Sequence, residues 1–336
     1  MPQRPVRARV TLPGISSRAW EHPADRGALV ALRKLRGFDS ILKALSGMFN
    51  ERAVRLQFLA SGIRVDDRQF GALHRLLTEV GTTLDVADLP EMYVVASPSL
   101  NASTVGMNRP IVVLNSAVVD LLDDDEMRFV IAHEVGHAVS GHAVYQTLLQ
   151  RLLVLSGVLS AVPLGGLGVR AIVAALMEWS RKAELSADRA AVLATQDPAV
   201  AFRVHMQLAS GGHLEDLDPT SFFAQGQEYQ DAGDLRESVL KLMLVENESH
   251  PFAVVRAAEL RRWVDSGEYT AFLAGGYPRR EDDAAATMSA AARAAAHSYG
   301  QSFRGTQDAL GRLVHETAGG LGSLKGWLDE TLRRGQ

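Results

Sequence analysis

Three residues in the segment HEVGH have the types and spacing of a metal-dependent hydrolytic site. His133 and His137 are four positions apart, so on a helix both rings lie on one face and can share a metal ion. Imidazole nitrogen is a common zinc ligand, and the chain has no cysteine to bind zinc instead. Glu134 falls beside that face, where its carboxylate can accept a proton from water that attacks a carbonyl group. The segment predicts a zinc site with a general base; the alternative is a chance HExxH match on an amphipathic helix.

Such a site needs a further ligand, which the downstream sequence offers. One class of HExxH site takes a histidine ten residues after the first, but Ala143 stands there and excludes that class. His142 falls on another side of a continuous helix, so we interpret it as structural or as a partner of a ligand. Glu184 and Asp188 share one face of a later helix, or else form a solvated acidic pair. We predict that Glu184 is the third ligand and that Asp188 accepts the spare ring N–H of His133.

The elements predicted to position these residues are mainly helical. An acidic first turn begins a helix that we expect over 124–149, carrying HEVGH. A second long helix, expected over 170–195, carries the acidic pair. Short β-branched segments at 92–97 and 110–116 predict a small sheet. Further helices are expected at 23–50, 67–81, 199–210, 233–245 and 251–265, followed by a helical tail.

Composition limits the classes of function. The 336 residues are 47% hydrophobic and 22% charged, as in ordinary globular proteins. A net charge of -4 without a basic stripe argues against a nucleic-acid partner. No apolar segment follows the basic N-terminus, so no cleaved signal peptide is predicted. Because the absence of cysteine also fits a reducing compartment, we predict a cytoplasmic location.

One apolar stretch leaves membrane contact open. Residues 152–169 carry no charge, and their length reaches the lower limit for a transmembrane helix. Pro163 and its neighbouring glycines favour instead the bend of a buried helical hairpin. The sequence therefore allows peripheral or integral attachment to the cytoplasmic membrane through 152–177. It does not predict the oligomeric state.

Four segments together resemble the HtpX-type and CAAX prenyl endopeptidase family, metallopeptidase family 48 of the gluzincins. They are NASTVG at 101–106, HEVGH with the histidine at 142, ELSAD at 184–188, and SHPFAVVR at 249–256. The order and spacing of four segments are more specific than HExxH alone. The resemblance implies a zinc endopeptidase with a zincin-type fold.

The resemblance also implies roles for individual residues. Glu184 would complete the zinc ligand set. His250 would donate a hydrogen bond to the oxyanion of the tetrahedral intermediate, and Arg256 would steady Glu184 or help to bind that oxyanion. Asn101 and Ala102 would pair with the substrate backbone as an edge strand, which suits substrates of many sequences.

We therefore predict a mostly α, α+β protein: a zincin-type metalloprotease core with a small β-sheet and additional helices at both ends. The expected domains are an N-terminal arm and helical subdomain (1–85), a zinc metallopeptidase domain (86–268) and a C-terminal helical tail (269–336). The predicted function is hydrolysis of peptide bonds in protein or peptide substrates with one zinc ion per chain, in protein quality control near the membrane. The alternative is a catalytically silent zinc-containing module that binds membranes or partner proteins. The presence of Glu134 favours the enzyme, because a purely structural zinc site does not need that carboxylate.

Overall fold

The computed structural model describes residues 9–34, 38, 42–43, 50–159, 167–231 and 253–301. The strands are β1 (Gly62–Arg64), β2 (Glu91–Val95), β3 (Ala102–Val105) and β4 (Ile111–Asn115). The helices are α1 (Pro23–Arg33), α2 (Glu51–Ser61), α3 (Gly71–Thr83), α4 (Ser116–Leu121), α5 (Asp124–Val139), α6 (His142–Leu159), α7 (Leu167–Thr195), α8 (Pro198–Ser210), α9 (Pro219–Asp231), α10 (Ala253–Asp265) and α11 (Glu268–Leu273). A further helix spans 290–301. The predicted fold class, mostly α with a small sheet, is confirmed.

The sheet has the strand order β1-β2-β4-β3. Its central pair, β2 and β4, is parallel, and both outer strands run antiparallel to their neighbours. The two β-branched segments correspond to the central pair, whereas the outer strands were not predicted from periodicity. β3 is short and lies in a stretch rich in turn-forming residues, which hides its alternation. This outer strand packs against α5, so the sheet edge and the HEVGH helix are neighbours.

Helices α5 and α7 make the most extensive helix–helix contact of the described fold. Gly136 faces Ala187 and Ala190, and a Cβ atom at position 136 would lie 2.9 Å from the Ala190 Cβ. Real Cβ atoms do not approach that closely, so small residues on both helices permit this contact. The close approach brings the HEVGH face of α5 against the acidic face of α7.

Helix α5 begins as predicted and ends earlier. Asp123 accepts the backbone N–H groups of Asp125 and Glu126, and Glu126 caps the N–H of Asp123 in return. The expected single helix over 124–149 is wrong, because the first helix ends at Val139 and a new helix begins at His142. Gly141 adopts φ +72°, in the left-handed region that favours glycine and ends helices.

Two hydrophobic clusters share helix α7. The larger one joins the chain near Leu12 and Trp20 to α3, the sheet, α5 and the second half of α7. The smaller one joins α1, α6 and the first half of α7 around Trp179. Segments before residue 85 thus pack directly on the helices of the site. The division of the chain into three domains stays a prediction.

The remaining differences from the sequence-based expectations are local. Helix α3 begins at Gly71 rather than 67, because the Asp66 carboxylate accepts the N–H groups of Arg68 and Gln69 and Phe70 adopts φ 53°. Helices α2, α4, α9 and α11 were not predicted. The expected helix at 233–245 and the leucine stripe of the tail after 301 lie outside the described residues.

The apolar stretch is only partly described. Residues 152–159 end α6 and residues 167–177 begin α7, while the expected bend at 160–166 lies outside the described residues. Within the part of the chain that the structure describes, no helix is long and apolar enough to cross a membrane.

Candidate metal centre

His133, His137 and Glu184 converge at the contact between α5 and α7. Nε2 of His133 and Nε2 of His137 are 3.1 Å apart. Glu184 presents one oxygen to each ring, with Oε2 at 3.4 Å from His133 Nε2 and Oε1 at 3.2 Å from His137 Nε2. All three side chains are buried. Among the described residues, these three form the one buried cluster whose ligand atoms could hold a metal ion.

The spacing of these atoms fits a zinc ion. Ligand atoms bound tetrahedrally at about 2.0 Å are separated by about 3.3 Å along each edge of the tetrahedron. The three separations, 3.1, 3.2 and 3.4 Å, lie near that value, although the two distances to Glu184 end on its two different oxygens. Two imidazoles and one carboxylate also match the donor set of catalytic zinc sites, which leave one position open for water or substrate. The predicted zinc centre is therefore consistent with this geometry.

His133 is held from behind by Asp188 and Arg256. Its Nδ1 lies 3.0 Å from Asp188 Oδ1, which is the contact that the role predicted for Asp188 requires. Arg256 donates to both oxygens of Asp188, at 2.8 Å to Oδ2 and 2.6 Å to Oδ1, and its Nη1 lies 3.0 Å from Glu184 Oε2. One guanidinium thus binds both carboxylates, which favours the first of its two predicted roles, steadying Glu184.

Burial and charge set the protonation of these groups. Burial would lower the pKa of His133, but hydrogen bonds to Asp188 and Glu184 outweigh burial and raise its pKa to about 9. Burial lowers the pKa of His137 to about 4. Burial would raise the pKa of Asp188, but Arg256 and His205 hold that pKa well below its usual value. Asp188 is therefore an anion, able to accept the ring N–H of a histidine that binds metal through its other nitrogen.

His137 is held by a second set of groups, from α6 and α1. His137 Nδ1 lies 3.0 Å from His142 Nδ1, and His142 Nε2 lies 3.0 Å from Asp25 Oδ2. Asp25 also accepts from Trp179 Nε1 at 2.9 Å and from Ser186 Oγ at 2.6 Å. Burial would raise the pKa of Asp25, but His142 and these two donors outweigh burial and lower it. His142 is thus a partner of His137, as one interpretation of the sequence expected.

Glu134 is buried and contacts the outer strand of the sheet. Thr104 Oγ1 on β3 lies 2.7 Å from Glu134 Oε2 and donates a hydrogen bond to that carboxylate; the backbone oxygen of Glu134 lies slightly farther away, at 2.9 Å. This bond joins the predicted general base to the strand predicted to hold the substrate. Ala102 begins that strand and Asn101 directly precedes it. His250, the predicted oxyanion donor, lies outside the described residues.

Three contributing residues were not singled out by sequence reasoning. Thr104 lies within NASTVG, where the only sequence signal for its contact with Glu134 is that its side chain carries a hydroxyl group. His205 Nε2, on α8, lies 3.4 Å from Asp188 Oδ2. Asp25 lies in the first turn of α1, a common place for an acidic residue, but the N-cap of that helix is His22, whose Nδ1 accepts from Ala24 N at 3.1 Å. Asp25 points into the core instead, and no local pattern distinguishes that orientation.

Comparisons with known proteins agree with this geometry. The family described as Peptidase family M48 matches residues 67–264, a range that contains all three candidate ligands. Plastoglobule-localized metallopeptidase 48, chloroplastic, of Arabidopsis thaliana is 32% identical over 259 residues, 76% of this chain and 74% of that protein.

Two bacterial proteins extend the comparison. Protease HtpX of Xanthomonas axonopodis pv. citri is 26% identical over 274 residues, 71% of this chain and 88% of that protein. The Protease HtpX homolog of Bacillus subtilis is 35% identical over 83 residues, 24% of this chain and 26% of that protein. No solved structure shows a significant match to the chain.

Proposed function

The chain belongs to peptidase family M48, and on that premise we propose that it is an endopeptidase whose single metal centre is His133, His137 and Glu184. The resemblance found in the sequence and the assignment as a zinc metallopeptidase are thereby confirmed. The observation that carries the proposal is the buried triangle of ligand atoms with Glu134 directly beside it in the chain. A zinc ion there would act as a Lewis acid toward the carbonyl oxygen and lower the pKa of water.

The side chains around that centre have separate tasks in the proposal. Glu134 accepts a proton from the attacking water and later delivers it to the leaving amine. Thr104 donates a hydrogen bond to one oxygen of Glu134 and so fixes the orientation of the carboxylate, which leaves the other oxygen to accept the proton. Asp188 orients His133 and, with Arg256, keeps Glu184 in place. His250 donates to the oxyanion, a role that rests on the family resemblance.

The proposed substrate is an extended segment of protein or peptide. Asn101 and Ala102 lie at the start of β3, which ends the described sheet on the side next to α5. A substrate strand aligned there would use backbone hydrogen bonds, which do not depend on side-chain identity. Protein quality control near the cytoplasmic membrane stays the biological setting that we propose.

The test compares zinc content and casein cleavage of the wild type and Glu134→Gln. We expect about one zinc per chain in both proteins, since Glu134 is not a ligand, and a fall in cleavage of at least about 100-fold in the variant. Glu126→Gln is the matched control, because it changes a buried glutamate of the same helix; glutamine can keep the capping bond to Asp123 N and a hydrogen bond to Arg203, and only the charge is lost.

The other outcomes separate the alternatives. Zinc in both proteins with no cleavage by either would contradict the proposed endopeptidase and favour the catalytically silent zinc module. A wild type without zinc, purified without chelators, would contradict the assignment of His133, His137 and Glu184.

A further inference from the structure

Helix α1 contributes a buried carboxylate that reaches the metal centre through one intervening histidine. Asp25 Oδ2 lies 3.0 Å from His142 Nε2, and His142 Nδ1 lies 3.0 Å from His137 Nδ1. All three residues are buried. Asp25 also lies outside the residues 67–264 that match the family, so the family match does not account for this connection.

The three side chains can be connected by one consistent set of protons. If His137 binds metal through Nε2, that nitrogen carries no proton, and the ring of a neutral His137 is protonated at Nδ1. His137 Nδ1 then donates to His142 Nδ1, which leaves the proton of a neutral His142 on Nε2. His142 Nε2 in turn donates to Asp25 Oδ2. Each contact has one donor and one acceptor, so all the hydrogen bonds of this series point the same way, from the metal ligand His137 to the carboxylate of Asp25.

Neighbouring groups are compatible with that direction. Asp25 accepts two more hydrogen bonds, from Trp179 Nε1 and Ser186 Oγ, and both donors suit a carboxylate. The amide of Gln146 lies near His137 Nδ1, with Nε2 at the longer distance of 3.4 Å. That amide can present its oxygen instead, because the two ends of a glutamine amide are exchangeable.

The helix break at Gly141 is what makes the arrangement possible. On a continuous helix, His142 would face away from the ring of His137, five positions earlier. The left-handed backbone of Gly141 redirects the chain, so α6 begins with His142 directed back at His137. Because α1 packs along α7, it delivers Asp25 to the same place.

We propose that Asp25 and His142 are positioning residues that fix the ring orientation and the tautomer of His137 for metal binding, just as Asp188 does for His133. The inference rests on the proposed function, since it presumes a metal bound by His137. It gives α1 a role in the reaction centre, in addition to packing. Outer partners of this kind typically change metal affinity by about 10–100-fold.

The test measures zinc affinity of the full-length chain by competition with a chelator of known affinity. The variants are Asp25→Asn, His142→Phe and the double variant. We expect each single variant to weaken zinc binding by about 10–100-fold, and the double variant to lose no more than the weaker-binding single one, because both residues act through one chain. If the two losses of zinc affinity multiply in the double variant, the two residues act independently, which would contradict a connected series of hydrogen bonds.

The matched control is Tyr145→Phe. Tyr145 also joins α6 to α1, because Arg33 donates to its hydroxyl, but that hydroxyl is not part of the series of hydrogen bonds from Asp25 to His137. We expect Tyr145→Phe to bind zinc like the wild type even where it lowers the melting temperature of the zinc-free protein. If Asp25→Asn lowers that melting temperature and leaves zinc affinity unchanged, the carboxylate only ties α1 to α7, and the proposal is overturned.

A second measurement needs no variant. Nitrogen-15 NMR of histidine-labelled, zinc-loaded wild type should show His142 with a protonated Nε2 and an unprotonated Nδ1. A proton on His142 Nδ1 would overturn the proposed direction of the chain. A wild type that binds no zinc would instead overturn the proposed function, and with it the role proposed for Asp25 and His142.

Discussion

Thr104 couples the predicted general base to the sheet at the scale of single residues. Its hydroxyl is 2.7 Å from the carboxylate of Glu134, and both side chains are buried. A hydrogen bond to a buried charged group contributes about 1.5–3 kcal/mol, and its loss leaves an acceptor unsatisfied. Thr104 is thus expected to set the orientation of Glu134 without touching the metal.

Thr104→Val tests this expectation, because valine preserves the shape and removes the hydroxyl. We expect kcat for a fluorogenic peptide to fall roughly tenfold or more, with zinc content unchanged. Thr104→Ser keeps the hydroxyl and should retain most of the activity. Equal losses in both variants would mean that packing, and not the hydrogen bond, explains the effect.

At the scale of elements, the contact of α5 with α7 decides the distance between the histidines and Glu184. Two i, i+4 pairs, one on each helix, can meet only where the helix axes come close. Gly136 permits that approach, because it lies in the helical turn between the two histidines and faces the alanines of α7. Ala187, one of the small residues of ELSAD, lies in this contact.

Gly136→Ala should therefore disturb the site without altering any polar group. The added methyl would lie 2.9 Å from the Ala190 Cβ, so the helices must separate. We expect a loss of about 1–3 kcal/mol in the free energy of unfolding, together with weaker zinc binding.

Gly71→Ala is the control for that variant. A Cβ at position 71 meets nothing within 4 Å, so this change should leave stability equal or slightly higher and zinc affinity unaltered. Wild-type zinc affinity in Gly136→Ala would show that the close approach does not set the ligand spacing.

At the scale of the whole molecule, α7 joins the two hydrophobic clusters and carries Glu184 between them. Ile172 and Trp179 lie in the cluster with α1 and α6, whereas Ala190 and Leu193 lie in the cluster with the sheet and α5. A metal bound between α5 and α7 would therefore tie together segments from both clusters. Metal binding and global stability are expected to be coupled.

Zinc removal tests that coupling. At a free zinc concentration 100 times the dissociation constant, binding stabilises the native state by about 2.7 kcal/mol, so a chelator should lower the melting temperature by several degrees. Glu134→Gln should show the same shift, because it keeps all three ligands, and Glu184→Gln should show a much smaller one. A wild-type melting temperature independent of zinc would contradict a metal site at this junction.

The sequence by itself determined the local part of the site. The spacing of His133 with His137, and of Glu184 with Asp188, follows from helical periodicity, which puts residues four apart on one face. The acidic start of α5 and the β-branched central strands were equally readable, because capping and strand preference act over a few residues. The order and spacing of the four segments also indicated the family to which the chain belongs.

Only the tertiary structure decided which distant groups meet. Asp25 reaches His142 because α1 packs on α7, and Thr104 reaches Glu134 because β3 lies along α5. Such contacts join residues far apart in the chain, and their partners depend on packing rather than on local periodicity. The break at Gly141 also escaped prediction, since the apolar pattern continues through it. Periodicity assigns a face to each helix, and packing decides what that face meets.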